Sequence, residues 1–166
     1  MARLLLMRHA KSSWSDPRTA DHDRPLNGRG CRDAPRMGQW LLERSIRPDL
    51  ILSSTAERAR KTAELVAAQW DPAPELRFHE CLYHSSPDTM LEMIVAECRD
   101  ESCIMLVAHN PGIEDFVLET TAQVEICPTA VVAVIDFDQS WGDLLSQPRG
   151  SLAALWRPKE LPDQDS

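Results

Sequence analysis

Three places in the chain gather side chains that could hold and transfer a small anion. Arg8-His9-Ala10-Lys11-Ser12 follows the apolar run Leu4–Met7. Ser53-Ser54-Thr55, with Arg58 and Arg60 just beyond, follows Leu50–Leu52. His109-Asn110-Pro111-Gly112 follows Ile104–Val107. Together they supply cations, hydroxyls and two imidazoles, a set suited to phosphate. The planar guanidinium fork pairs two phosphate oxygens at once. A neutral imidazole adds a nucleophile or proton carrier that works near neutral pH. Glycine-rich phosphate cradles are missing: there are only six glycines, and Gly28-Arg29-Gly30 is followed by Asp33 rather than a third glycine. A phosphate bound here is therefore held by side chains. His9 and His109 each stand at a strand end, which fits a structural or a catalytic imidazole equally. His22, His79 and His84 lack that setting and read as exposed or satisfied. No carboxylate or cysteine spacing completes a metal site around them.

Short apolar runs alternate with segments of helical period along the whole chain. Leu4–Met7, Leu50–Leu52, Leu76–Phe78 and Ile104–Val107 have the length of buried strands. Residues 29–44 read as a helix with Ala34, Met37, Trp40 and Leu41 on one stripe. Residues 56–69 read as a second. Ser86 before Pro87 reads as the cap of a third, which buries Leu91, Ile94, Val95 and Cys98. Asn110-Pro111 reads as the cap of a fourth, in the same way. Val131–Ile135 and Leu152–Trp156 are late strands with no clear helix between them. This alternation predicts an α/β fold: a three-layer sandwich with a mostly parallel central sheet between helices, and an antiparallel edge at the C-terminus. In such sheets ligands bind at the carboxyl ends of the strands, where all three polar clusters fall. Residues 1–158 read as one domain, and 159–166 as a polar, frayed tail.

The chain has 166 residues, enough to bury a core without disulfide or metal staples. Its 18 Lys and Arg are outnumbered by 26 Asp and Glu, giving a net charge of -8. That balance excludes a general nucleic-acid binder and means that an anion site must be built locally, against the field of the whole molecule. No run is long enough for a signal peptide or a membrane span. Five cysteines, an odd number without a Cys-x-x-Cys pair, predict reduced and mostly buried thiols. A cytoplasmic protein is expected, a monomer that binds neither nucleic acid nor membrane.

Leu5-Leu6-Met7-Arg8-His9-Ala10, followed by Lys11-Ser12-Ser13-Trp14, resembles the opening motif of the histidine phosphatase superfamily. Residues 53–63, Ser-Ser-Thr-Ala-Glu-Arg-Ala-Arg-Lys-Thr-Ala, resemble its second motif, and Val107-Ala108-His109-Asn110-Pro111-Gly112 its third. Asp23-Arg24-Pro25-Leu26-Asn27 with Gly30 is most similar to the SixA-type phosphohistidine phosphatases of that phosphoglycerate mutase-like group. The resemblance implies a phosphatase without metal or other cofactor. His9 would be the nucleophile and carry a phosphohistidine intermediate. Arg8, Arg58 and His109 would hold the phosphoryl oxygens, with Ser15 and Asn110 as further phosphate contacts. The substrate it implies is phosphohistidine in a protein, such as a histidine phosphotransfer protein; the alternatives are a small phosphorylated metabolite and a phosphate-binding module without activity. Glu80-Cys81-Leu82-Tyr83 resembles the Glu-x-x-Tyr stretch whose glutamate protonates leaving oxygens in relatives, so Glu80 is the expected proton donor. Two departures stand out. Ala10 replaces a common glycine and is expected to narrow the pocket, and Ser15 replaces an asparagine.

Overall fold

Residues 2–8 alternate strictly between two cores, and the rest of the molecule follows from that alternation. The structure, a computed structural model, describes residues 1–163. Strand β1 is Ala2–Arg8, with Leu4 and Leu6 in one core and Leu5 and Met7 in the other. Strands β2 (Leu50–Ser54) and β4 (Cys103–Ala108) repeat the pattern. Leu50, Leu52, Ile104 and Leu106 join the first core; Ile51, Met105 and Val107 join the second. A sheet apolar on both faces must be covered on both. Helices α1 (Gly28–Glu43) and α2 (Glu57–Ala67) cover the second core through Met37, Leu41, Ala63 and Val66. Helices α3 (Pro87–Glu97) and α4 (Gly112–Thr121) cover the first through Leu91, Ile94, Phe116 and Val117.

Among the described residues the sheet has six strands in the order β3-β2-β4-β1-β5-β6, where β3 is Glu75–His79, β5 is Val132–Phe137 and β6 is Gly150–Trp156. The first four are parallel; β5 runs antiparallel to β1, and β6 antiparallel to β5. The three-layer α/β sandwich with an antiparallel C-terminal edge is thus the observed architecture. Strands β1 and β4 lie side by side, yet the chain leaves β1 for the α1 face and β4 for the α4 face. The two exits diverge and open a crevice at the carboxyl ends, the topological switch point of such sheets.

The segment after β1 is stitched down. Ser12 bridges Leu26, the Ser13 amide donates to the Pro25 carbonyl at 2.8 Å, and the Asn27 amide donates to the Lys11 carbonyl at 3.0 Å. Gly30 sits so close beneath it that a Cβ would lie 2.2 Å from the Lys11 carbonyl oxygen.

Four expectations are corrected. The Asn27 side chain accepts from the Gly30 amide and starts α1, and Ser86 caps α3 as expected, but Asn110 does not cap α4. Its amide instead donates to Glu114 Oε1 and to the Cys127 carbonyl, both at 3.0 Å, so its orientation is set by those acceptors. The tail is not frayed up to Pro162: Leu161 is buried, and the Arg36 guanidinium donates to the carbonyls of Pro158, Leu161 and Pro162. Its last residues, 164–166, lie outside the described residues. Only Cys98 and Cys127 of the five free thiols are buried, while Cys31 and Cys81 are exposed. The Ala10 methyl packs into the second core beside Ala34 and Ala63 and does not line the crevice.

Candidate active site

The crevice is a cavity of about 190 Å³ lined by Arg8, His9, Lys11, Ser12, Trp14, Arg24, Arg58, His84, His109, Asn110 and Thr129. Four of these are permanent cations and none is a carboxylate, so the local field opposes the net charge of the chain. Such a site attracts and orients an anion.

His9 is 6% exposed and its backbone is fixed from both sides. Its amide donates to Ala108 on β4 at 3.1 Å, and its carbonyl accepts from the Ala130 amide at 3.1 Å. The ring Nδ1 lies 2.7 Å from the Ala10 carbonyl oxygen. A carbonyl only accepts, so Nδ1 carries the proton and Nε2 keeps its lone pair. Arg58 Nε–H points at that lone pair from 3.4 Å. Burial, with the charges of Arg58, Arg8 and Arg24, pushes the ring down to about 3, so Nε2 stays unprotonated at any physiological pH. A neutral imidazole with one nitrogen tied and the other unprotonated beside cations is poised as a nucleophile.

Arg58, 4% exposed, is gripped behind the pocket: Nη1 donates to the Asp21 carbonyl at 2.6 Å and Nη2 to Asp21 Oδ2 at 3.0 Å. Thr62 links the two motifs, donating to the Arg58 carbonyl and accepting from the Ala10 amide. Arg60, two residues along α2, turns away and stacks over Phe78 at 4.0 Å. His109 Nε2 lies 2.8 Å from Ser54 Oγ. That oxygen also accepts from the Ala56 amide at 3.2 Å, and among the described residues Nε2 is the acceptor its own proton finds, so Nδ1 carries the ring proton. Nδ1 is buried with no partner, as are Arg8 Nε and Asn110 Oδ1. Buried donors are rarely left unpaired, so two unpaired donors on residues lining one cavity mark an anion position. Burial above all, with the neighbouring His9 imidazole and the Arg58 cation, holds His109 down to about 3 as well.

The structure thus brings Arg8, His9, Arg58, His109 and Asn110 to one cavity and leaves two expected residues outside it. Ser15 is exposed and pairs with the Ser13 hydroxyl at 2.9 Å; the neighbouring Ser12 lines the cavity instead, bonded to Arg24 at 2.6 Å. Glu80 is exposed at the start of the 3₁₀ turn Glu80–Leu82, whose inward residue is Leu82, and so does not reach the cavity. Several site residues carried no individual signal in the sequence. Asp21 accepts from Tyr83, Arg58 and Arg24, and the Tyr83 hydroxyl above all keeps its carboxyl well below the usual range. His84, read from the sequence as exposed or satisfied, is exposed but lines the cavity. The Asp23-Arg24-Pro25 stretch was the one hint of this rim, without roles. Among the described residues no group of three or more His, Cys, Asp or Glu could hold a metal ion.

Residues 4–102 match the model of the histidine phosphatase superfamily, branch 1. An uncharacterized chloroplastic protein of Arabidopsis thaliana is 34% identical over 99% of this chain and 78% of its own length. An uncharacterized protein of Mycobacterium tuberculosis is 36% identical over 83% of this chain and 91% of its own. Among solved structures, a candidate SixA phosphohistidine phosphatase from Agrobacterium tumefaciens is 30% identical, with a TM-score of 0.80 over 95% of this chain and 99% of its own. The protein histidine phosphatase SixA in complex with tungstate is 20% identical with a TM-score of 0.82 over 96% of this chain and 99% of its own, a likeness of fold.

Proposed function

The chain belongs to the histidine phosphatase superfamily and is a SixA-type phosphatase, and from that premise we propose that it dephosphorylates phosphohistidine in a protein partner through a covalent intermediate on His9. The His9 Nε2 lone pair attacks phosphorus as the bond to the leaving imidazole nitrogen breaks. Arg8 Nε, Arg58 Nε and His109 Nδ1 donate to the phosphoryl oxygens, where negative charge must be held. Water then attacks the same phosphorus, and His9 regains its lone pair. A histidine phosphotransfer protein is one partner that presents such a group.

The size of the cavity carries this choice of substrate. Sites that enclose a small molecule commonly measure about 300–1,000 Å³. At about 190 Å³ this one admits a phosphoryl group and little more. The body of the substrate must then be held outside, as a folded partner holds its own histidine. A metabolite would be gripped by its phosphate alone. The test is a panel of histidine-phosphorylated proteins and small phosphorylated metabolites ranked by kcat/KM on one preparation. A phosphoprotein should lead. A metabolite ranked above every phosphoprotein overturns the substrate assignment while leaving the phosphatase intact.

A further inference from the structure

No carboxylate lines the cavity, and Glu80 stands outside it, so the leaving group needs another source of protons. We propose that His84 is a catalytic acid and base of this phosphatase, protonating the leaving atom and then deprotonating the attacking water. This rests on the covalent mechanism through His9. His84 lines the cavity with its side chain 64% exposed, at the mouth where a leaving group departs and water enters. Its ring packs against Tyr83 with centroids 3.9 Å apart and planes tilted by 39°, and lies 6.2 Å from the His109 ring. Its Nε2 is 3.9 Å from Asp21 Oδ2, which also accepts from the Tyr83 hydroxyl. The backbone at His84 is left-handed, with φ 54°, a region that non-glycine residues rarely visit and that tends to persist where the surroundings fix a side chain in place.

The other imidazoles in the cavity are committed. His9 supplies its lone pair to phosphorus, and His109 is buried and bonded to Ser54. Histidine is the side chain that exchanges a proton between about pH 5 and 8, which is what turnover requires. In the first step the His9 Nε2 lone pair forms the N–P bond, the bond from phosphorus to the leaving atom (the imidazole nitrogen of a phosphohistidine, or the oxygen of an ester) breaks, and the His84 proton passes to that atom. In the second step the water oxygen forms a P–O bond, the N–P bond breaks with its pair returning to His9, and a water proton passes to His84. The site ends as it began. The titratable and charged groups facing His84 are Asp21 on the turn before α1, the neutral His109 at the end of β4, and the Arg58, Arg24, Arg8 and Lys11 cations across the cavity.

The test is His84→Asn, since asparagine tolerates the left-handed backbone. A nitrophenolate leaves without help, whereas an alkoxide does not. On an alkyl phosphate the variant should lose about 10²–10⁴-fold in kcat/KM, the usual worth of a positioned acid, with a far smaller loss on p-nitrophenyl phosphate. The fall of kcat/KM at high pH, present on the alkyl ester in the wild type, should vanish. Equal losses on both esters, no loss on either, or an unchanged pH profile overturns the assignment. A wild type that turns over a phosphohistidine protein but no alkyl phosphate overturns it alone. A wild type inert toward all three substrates overturns the phosphatase reading itself.

Discussion

The floor and the rim of the cavity are built differently. The floor is made of side chains one or two residues past the ends of β1 and β4 and in the first turn of α2. His9, Arg58 and His109 are each at most 6% exposed, and each has a side-chain nitrogen tied to a backbone carbonyl or a buried hydroxyl. The rim comes from turns. Trp14 is 72% exposed and stacks on Arg24 at 3.5 Å, and His84 lines the same cavity on its left-handed backbone. The floor must be rigid because charge stabilisation acts through preorganised donors. The rim must be reachable because it meets the rest of the substrate. The groups that hold and attack phosphorus and the groups that meet the rest of the substrate therefore sit on separate elements of the fold, and changes to each should read out differently.

The largest effect should come from the floor. His9→Ala should lower kcat on every substrate by on the order of 10⁴–10⁶, as loss of a covalent nucleophile does. Wild type quenched in alkaline denaturant should carry a phosphoryl label, stable to base and lost in acid, that this variant lacks; label persisting in the variant would break the assignment. Next, Arg58→Ala should cost about 10²–10³-fold in kcat/KM, the scale of one lost charge-stabilising donor, again on every substrate. Arg60→Ala, which removes only a stack on Phe78, should cost far less. Equal losses would mean that the two side chains exchange places in solution. On the rim, Trp14→Ala should weaken capture of a phosphoprotein by about 1 kcal/mol, near fivefold in KM, as an exposed aromatic contact does. It should leave p-nitrophenyl phosphate untouched, and a matching loss on that ester would erase the division between floor and rim.

An effect of a different kind falls on stability. His9 and His109 are neutral when folded, with values near 3, while an unfolded histidine takes up its proton near 6.5. Between those values the unfolded chain binds more protons, so stability falls as pH drops through that window and is unaffected by these groups above it. The Tm of the wild type, measured against His9→Gln, should therefore decline from about pH 7 to about pH 4. A constant difference across that range would show that the His9 ring is not held neutral.

The same division explains what could be read in the sequence. The strands announce themselves as apolar runs, and a polar cluster just past each run must fall at the carboxyl edge of the sheet. Arg8, His9, Arg58, His109 and Asn110 were legible for that reason. The rim was not, because no periodicity connects Asp21 to Tyr83, which are 62 positions apart and meet only after β1, β2 and β3 are assembled. Glu80 and Ser15 misled because motif spacing fixes a position along the chain but not the direction of a side chain on a tight turn. The tail misled because its polar composition hides the Arg36 fork that collects its carbonyls.

Gly30 carries a consequence for inheritance. The carbonyl it would strike belongs to Lys11, two residues past the nucleophile, on a segment already sewn to residues 25–27. Even one methyl group there would lift the floor of the cavity by displacing backbone and not a flexible side chain. A missense allele at position 30 would therefore appear in a genetic screen as a null of the enzyme, although it changes no group that touches phosphorus.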